Sequence, residues 1–150
     1  MPDPNASQFS PRFKGKVISD RFAGQISRVE ELAYILRIRE VMSSDVITIQ
    51  PQVKMQEVLN VLRDKRISGI PVVENDNLVG IVSTEDLIRC LIKQDLDAPV
   101  SQYMSTNLYT VYSFDFLTEA LKIFGRTGRG RLPVLDENKK LVGIITKGDV

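Results

Sequence analysis

Residues 78–86 read Leu-Val-Gly-Ile-Val-Ser-Thr-Glu-Asp, and residues 141–149 read Leu-Val-Gly-Ile-Ile-Thr-Lys-Gly-Asp. Each is a near-continuous apolar run, as expected of a well-buried strand, ending at a hydroxyl residue with an aspartate three positions further on. Outward from these two corners the chain matches itself. Met42 pairs with Met104, Thr48 with Thr110, Glu57 with Glu119 and Pro71 with Pro133 at an offset of 62 residues. Gly80 with Gly143, Ser83 with Thr146 and Asp86 with Asp149 stand 63 apart. The extra residue falls between Glu74–Asn77 and Asp136–Lys140, two polar turn sequences that absorb an insertion without disturbing a core.

Both halves follow one grammar. A short strand (Val46–Ile49; Leu108–Val111) precedes a helix whose apolar positions recur at helical spacing. These are Met55, Val58, Leu59 and Leu62 in the first half, and Leu117, Ala120, Leu121 and Phe124 in the second. An Ile/Leu-Pro-Val strand follows (Ile70–Val73; Leu132–Leu135), then a turn, then Leu78–Val82 or Leu141–Ile145. The first corner opens a closing helix, Leu87–Lys93. Each half therefore reads β-α-β-β-α, an α/β (α+β) class. A unit of roughly 60 residues buries a core only marginally, so the two halves are expected to pack as a pseudo-twofold pair with a crevice where they meet. Residues 1–26 read as a loosely ordered extension, 27–98 as an N-terminal helix and the first repeat, and 99–150 as the second repeat. Ser27-Arg28-Val29-Glu30 fits a capping box, and Val29, Leu32, Ala33 and Leu36 share one helical face.

Composition narrows the chemistry. Apolar residues make up 43% of the 150 and charged residues 26%, with a net charge of +1. That balance argues against a dedicated nucleic-acid binder. There is no histidine and one cysteine, Cys90, so the usual Cys/His zinc sites and His-activated nucleophiles cannot be built. Cys90 sits in Leu87-Ile88-Arg89-Cys90-Leu91-Ile92 and reads as a small core residue. No carboxylates, lysines or tyrosines form a catalytic cluster, and no enzyme activity is expected. No apolar run suffices to cross a bilayer, and MPDPNASQFSPRF lacks a secretory core, so the expected location is cytoplasmic.

A strand that stops at Ser83 or Thr146 to begin a helix leaves backbone N–H groups unpaired. The hydroxyl caps one, and the others suit an anionic oxygen. Gly80 and Gly143 lack a Cβ, which would let a flat group approach the strand. Asp86 and Asp149 could accept two hydrogen bonds from a vicinal diol, as acidic residues grip ribose in dinucleotide folds. The competing reading is plain helix capping, worth about 1 kcal/mol.

In combination, the Met before the first strand, the Pro-Val strand and the Gly-hydrophobic-hydrophobic-Ser/Thr-x-x-Asp corner resemble a tandem pair of CBS domains, the Bateman module, over residues 38–150. The resemblance implies a disk-like pair that commonly dimerises. It also implies adenosine-containing ligands (AMP, ADP, ATP or S-adenosylmethionine) as regulatory rather than catalytic groups, in clefts between the domains. By position, Asp86 and Asp149 would hold ribose hydroxyls, and Ser83 and Thr146 would sit near ribose or phosphate. Thr48 and Ile49 with Ile70, Pro71 and Val72, and Thr110 and Val111 with Leu132, Pro133 and Val134, would sandwich adenine.

Gly125-Arg126-Thr127-Gly128-Arg129-Gly130-Arg131 supplies a donor-rich loop for phosphate, with Arg131 two residues from Pro133 and Lys147 as a further point charge. The alternative is a helix end closed by Gly128. The first half offers only Asp64–Gly69, so phosphate contacts are expected to be unequal. The second corner stops at Val150 without a closing helix, which suggests an effector domain beyond Val150 or on a partner. The resulting expectation is a regulatory ligand sensor; its rival is a dimerisation or interaction scaffold whose corners are only caps.

Overall fold

The computed structural model describes residues 31–150. The extension 1–26 and the capping box at Ser27–Glu30 lie outside the described residues. Residues 31–35 are helical. There follow α1 (Ile38–Val41), α2 (Met55–Lys65), β1 (Gly69–Glu74), β2 (Asn77–Ser83), α3 (Thr84–Ile92), a 3-10 turn (Val100–Gln102), β3 (Val111–Tyr112), α4 (Leu117–Thr127), β4 (Arg131–Leu135), β5 (Leu141–Thr146) and a 3-10 turn (Lys147–Asp149).

The described residues fall into two compact units. One comprises 31–41 with Asp115–Gly128; the other comprises Met42–Phe114 with Arg129–Val150. In the first unit, the Ile38 N–H donates to the Asp115 carbonyl at 2.8 Å and the Leu117 N–H to the Leu36 carbonyl at 2.9 Å. The Arg37 guanidinium lies 3.9 Å over the Phe116 ring. Ala33, Ile38, Leu117, Ala120 and Phe124 are buried. Gly128 closes α4 at φ 72°, its N–H on the Phe124 carbonyl at 3.3 Å, which realises the helix-end reading of the glycine.

The second unit holds both hairpins. β1 and β2 pair antiparallel, as do β4 and β5, and β3 joins β4 in parallel. Each hairpin carries a bulge at the same place, after Val72 in one and after Val134 in the other. The turns differ as the insertion requires. Asn75 and Asp76 form a two-residue turn with φ 52° and 66°. The longer second turn is tied by the Asp136 carboxylate, which accepts the Asn138 and Lys140 N–H groups at 2.9 Å each. Ile49, Met55, Val58, Leu62, Ile70, Val72, Val82, Leu87, Cys90, Ala98, Val100 and Tyr103 make one core around the first hairpin. Pro and β-branched residues at 70–73 suit that strand because β1 and β2 form a two-stranded sheet.

The leading strands are shorter than the sequence suggests. Val46–Ile49 is not a strand: Ile49 alone bridges, donating to the Pro71 carbonyl at 3.1 Å and accepting the Val73 N–H at 2.9 Å. Leu108–Thr110 is likewise irregular, and β3 begins at Val111. The physical reason is a crossing of the two lead-in segments. Ser43 pairs with Ile144 of the second hairpin, and Ser105 with Ile81 of the first. Each segment is thus held at both ends by different sheets and cannot lie flat along either. The helix opened by the first corner spans Thr84–Ile92, beginning one turn before the expected Leu87.

Candidate functional site

The crossing explains both corner glycines. A Cβ on Gly143 would lie 2.5 Å from the Met42 sulfur and 2.9 Å from the Ser43 carbonyl oxygen. One on Gly80 would lie 2.6 Å from the Met104 sulfur and 3.0 Å from the Ser105 carbonyl oxygen. The group that comes close to each strand is therefore a Met-Ser segment from the other half, not a flat ligand.

Where Ser43 meets the second hairpin, a cavity of about 450 Å³ opens. Its walls come from the lead-in segment (Ser43, Asp45, Val46, Ile47), the loop before β1 (Arg66–Gly69), Arg131 at the start of β4, and Ile144 and Thr146 of β5. Arg66 ends α2 in the left-handed region at φ 55°, which turns the chain into this loop. The size suits a nucleotide-scale ligand. Val46, Ile47, Ile67 and Ile144 give apolar walls; Ser43, Asp45, Ser68 and Thr146 give hydrogen-bonding groups; Arg66 and Arg131 bring two cations. Arg131 crosses the chain at Gly69, where a Cβ would stand 3.0 Å from its Cδ, and donates to the Ser68 hydroxyl. Its charge, after a backbone hydrogen bond and the Ser83 hydroxyl, helps hold the Glu85 carboxyl below the usual range.

Of the residues singled out from the sequence, Thr146 and Arg131 line this cavity. Asp149 lies one turn beyond Thr146 and is exposed; its carboxylate accepts the Thr146 N–H at 2.8 Å. Lys147 is exposed, its N–H on the Gly130 carbonyl at 3.0 Å. Ile49, Ile70, Pro71, Val72, Val111, Leu132, Pro133 and Val134 are buried within the sheets, and Thr110 is half-buried. Thr48 lines a separate cavity of about 320 Å³ with Val73, Asp76, Lys140 and Leu141. Sequence reasoning missed Ser43 and Asp45 as wall residues and placed Arg66 and Ser68 only in the weaker phosphate segment, Asp64–Gly69. The available signal was positional: Arg66–Gly69 stands one repeat before the glycine-arginine loop.

The first corner differs. Asp86 is 7% exposed, and its Oδ2 accepts the Ser83 N–H at 2.8 Å and the Ser83 hydroxyl at 3.0 Å. Its Oδ1 accepts from the Arg89 guanidinium, which also donates to the Tyr103 carbonyl at 3.3 Å. Around it, burial pushes the Cys90 thiol up, and burial with a 2.8 Å bond to Asp95 pushes the Tyr103 phenol up to about 12. Among the described residues, no group of three or more His, Cys, Asp or Glu could hold a metal, and no helix is long and apolar enough to cross a membrane.

Known proteins share the two repeats and the fold. The CBS domain model matches residues 38–93 and 100–150. The inosine-5'-monophosphate dehydrogenase of Aquifex aeolicus is 32% identical over 125 residues, 82% of this chain but 25% of the enzyme. Of the uncharacterized protein MJ1232 of Methanocaldococcus jannaschii, 35% identical over 115 residues, the chain spans 38% of the length, so it covers under half of each of these two relatives. A crystal structure of CBSX2, a CBS-pair protein of Arabidopsis thaliana, in complex with AMP is 28% identical with a TM-score of 0.66, covering 75% of this chain and 91% of that one. The CBS domain pair of protein MJ0100, in complex with 5'-methylthioadenosine and S-adenosyl-L-methionine, shares the fold at a TM-score of 0.70 and 22% identity, over 77% of this chain and 92% of that one. The mixed α/β chain with two matched repeats belongs to the CBS domain family.

Proposed function

We propose that this chain is a regulatory module that binds an adenosine nucleotide in the cavity beside Thr146 and transmits occupancy to an effector, attached or on a partner. One observation carries the reading: an apolar-walled space of about 450 Å³ with two arginines in its wall, next to an exposed aspartate. An adenine fits between Val46, Ile47, Ile67 and Ile144. A ribose diol is within the province of Thr146 and Asp149, and phosphate oxygens meet Arg66 and Arg131. AMP in CBSX2 supports the ligand class. With Arg66 and Arg131 opposed in the cavity by Asp45, the charge favours phosphate over the cationic sulfonium of S-adenosylmethionine. Regulation requires that nucleotide bind two conformations unequally, and a segment crossing between two sheets is the element it would bias. The module is expected to act as a homodimer in the cytoplasm without catalysis of its own. Isothermal titration with AMP, ADP, ATP and S-adenosylmethionine tests this: nucleotide heat lost in Thr146→Val and Asp149→Ala supports it. No binding by any of the four would leave a scaffold whose corners only cap.

A further inference from the structure

The two corners are written alike, but the side chains around them are not. Shifted by one repeat, the cavity residues Asp45, Ile47 and Ile67 become Asn107, Tyr109 and Arg129. Where Ile67 forms an apolar wall, Arg129 carries a long cationic side chain. Its Nη2 donates to the Asn107 carbonyl at 3.2 Å, and its guanidinium lies 5.2 Å over the Tyr109 ring. The arginine thus lies along the very segment that in the other half forms the opposite wall of the cavity. It takes the backbone acceptor and the flat face that an adenine would use. At the diol end, both Asp86 oxygens are engaged, one by the Ser83 N–H and hydroxyl and one by the Arg89 guanidinium.

From these two contacts we infer that the chain binds one nucleotide, not two: Arg129 closes the adenine end of the second site and Arg89 closes its diol end. The repeat duplicated the corner, and two arginines then silenced one copy from within. The inference rests on the Thr146 cavity being a nucleotide site, and one experiment separates the two ideas.

AMP is titrated calorimetrically into the full chain and into Arg129→Ile, Arg89→Ala and the double variant. Arg129→Ile installs the residue that the first half carries at the matched position. The expected result is one equivalent for the unaltered chain and two for the double variant, with the first dissociation constant changed less than about threefold. That constancy shows that the double variant still folds. Two equivalents in the unaltered chain, or one in both, overturn the inference. None in the unaltered chain and one in the double variant sinks the cavity reading and keeps the closure; none in either sinks both.

Discussion

Met42 lies against Gly143, its sulfur 2.5 Å from where a β-carbon would stand, so the start of one repeat is packed onto the end of the other. Met104 does the same to Gly80. The glycines therefore serve assembly of the pair, and the positions on either side of them should respond differently to substitution.

Gly143→Ala would force the Met42–Ser43 segment outward. The methionine can swing, but the Ser43 carbonyl is a ladder acceptor for the Ile144 N–H at 2.9 Å and cannot. Overpacking of this kind costs about 1–3 kcal/mol in a urea-denaturation series. Gly80→Ala should cost a similar amount. Only Gly143→Ala should also weaken AMP binding, because Ser43 lines the cavity and Ser105 does not. Equal affinities in the two variants would refute the placement of the site.

Arg131→Ala should lower affinity for AMP by roughly 10- to 100-fold, the range for losing a hydrogen bond to a charged group. Adenosine, which has no phosphate, should bind both proteins equally within about threefold. A loss of equal size for adenosine would show that Arg131 shapes the cavity through Ser68 rather than contacting phosphate.

Asp86 and Asp149 should separate stability from binding. Asp86→Ala removes a buried cap and strands the Ser83 N–H, at a cost of about 1–3 kcal/mol, with little change in nucleotide affinity. Asp149→Ala removes an exposed cap and should shift thermal stability little, while abolishing the stabilisation conferred by AMP. The reverse pattern would place the ligand at the first corner.

Alkaline pH should destabilise the fold through Tyr103. Burial and the Asp95 carboxylate favour the neutral phenol, raising it from an ordinary value of about 10 to about 12. A raised acid stabilises fully below its unfolded value and loses that contribution as pH climbs through its folded one. Urea midpoints should therefore fall between about pH 10 and 12 in the unaltered chain, and fall less steeply in Tyr103→Phe. Parallel curves would argue against the Tyr103–Asp95 bond.

The duplication, the hairpins and the helices were legible in the residues, because apolar periodicity and turn chemistry act over a few positions. The turn insertion between residues 74 and 140 could be placed to within a loop for the same reason. The strands at Val46 and Leu108 were not, since whether they pair depends on where Ser43 and Ser105 are anchored, some 100 and 24 residues away in the chain.

The sequence by itself determined two repeats, a strand-to-helix corner in each, and an acidic residue at matched positions. That a methionine lies against each corner glycine, and that a cavity opens beside Thr146, were decided by tertiary structure. Local pattern specifies an element's type and face. A cavity is set instead by which distant side chains arrive, and here Ser43 of one repeat meets Arg131, Ile144 and Thr146 of the other.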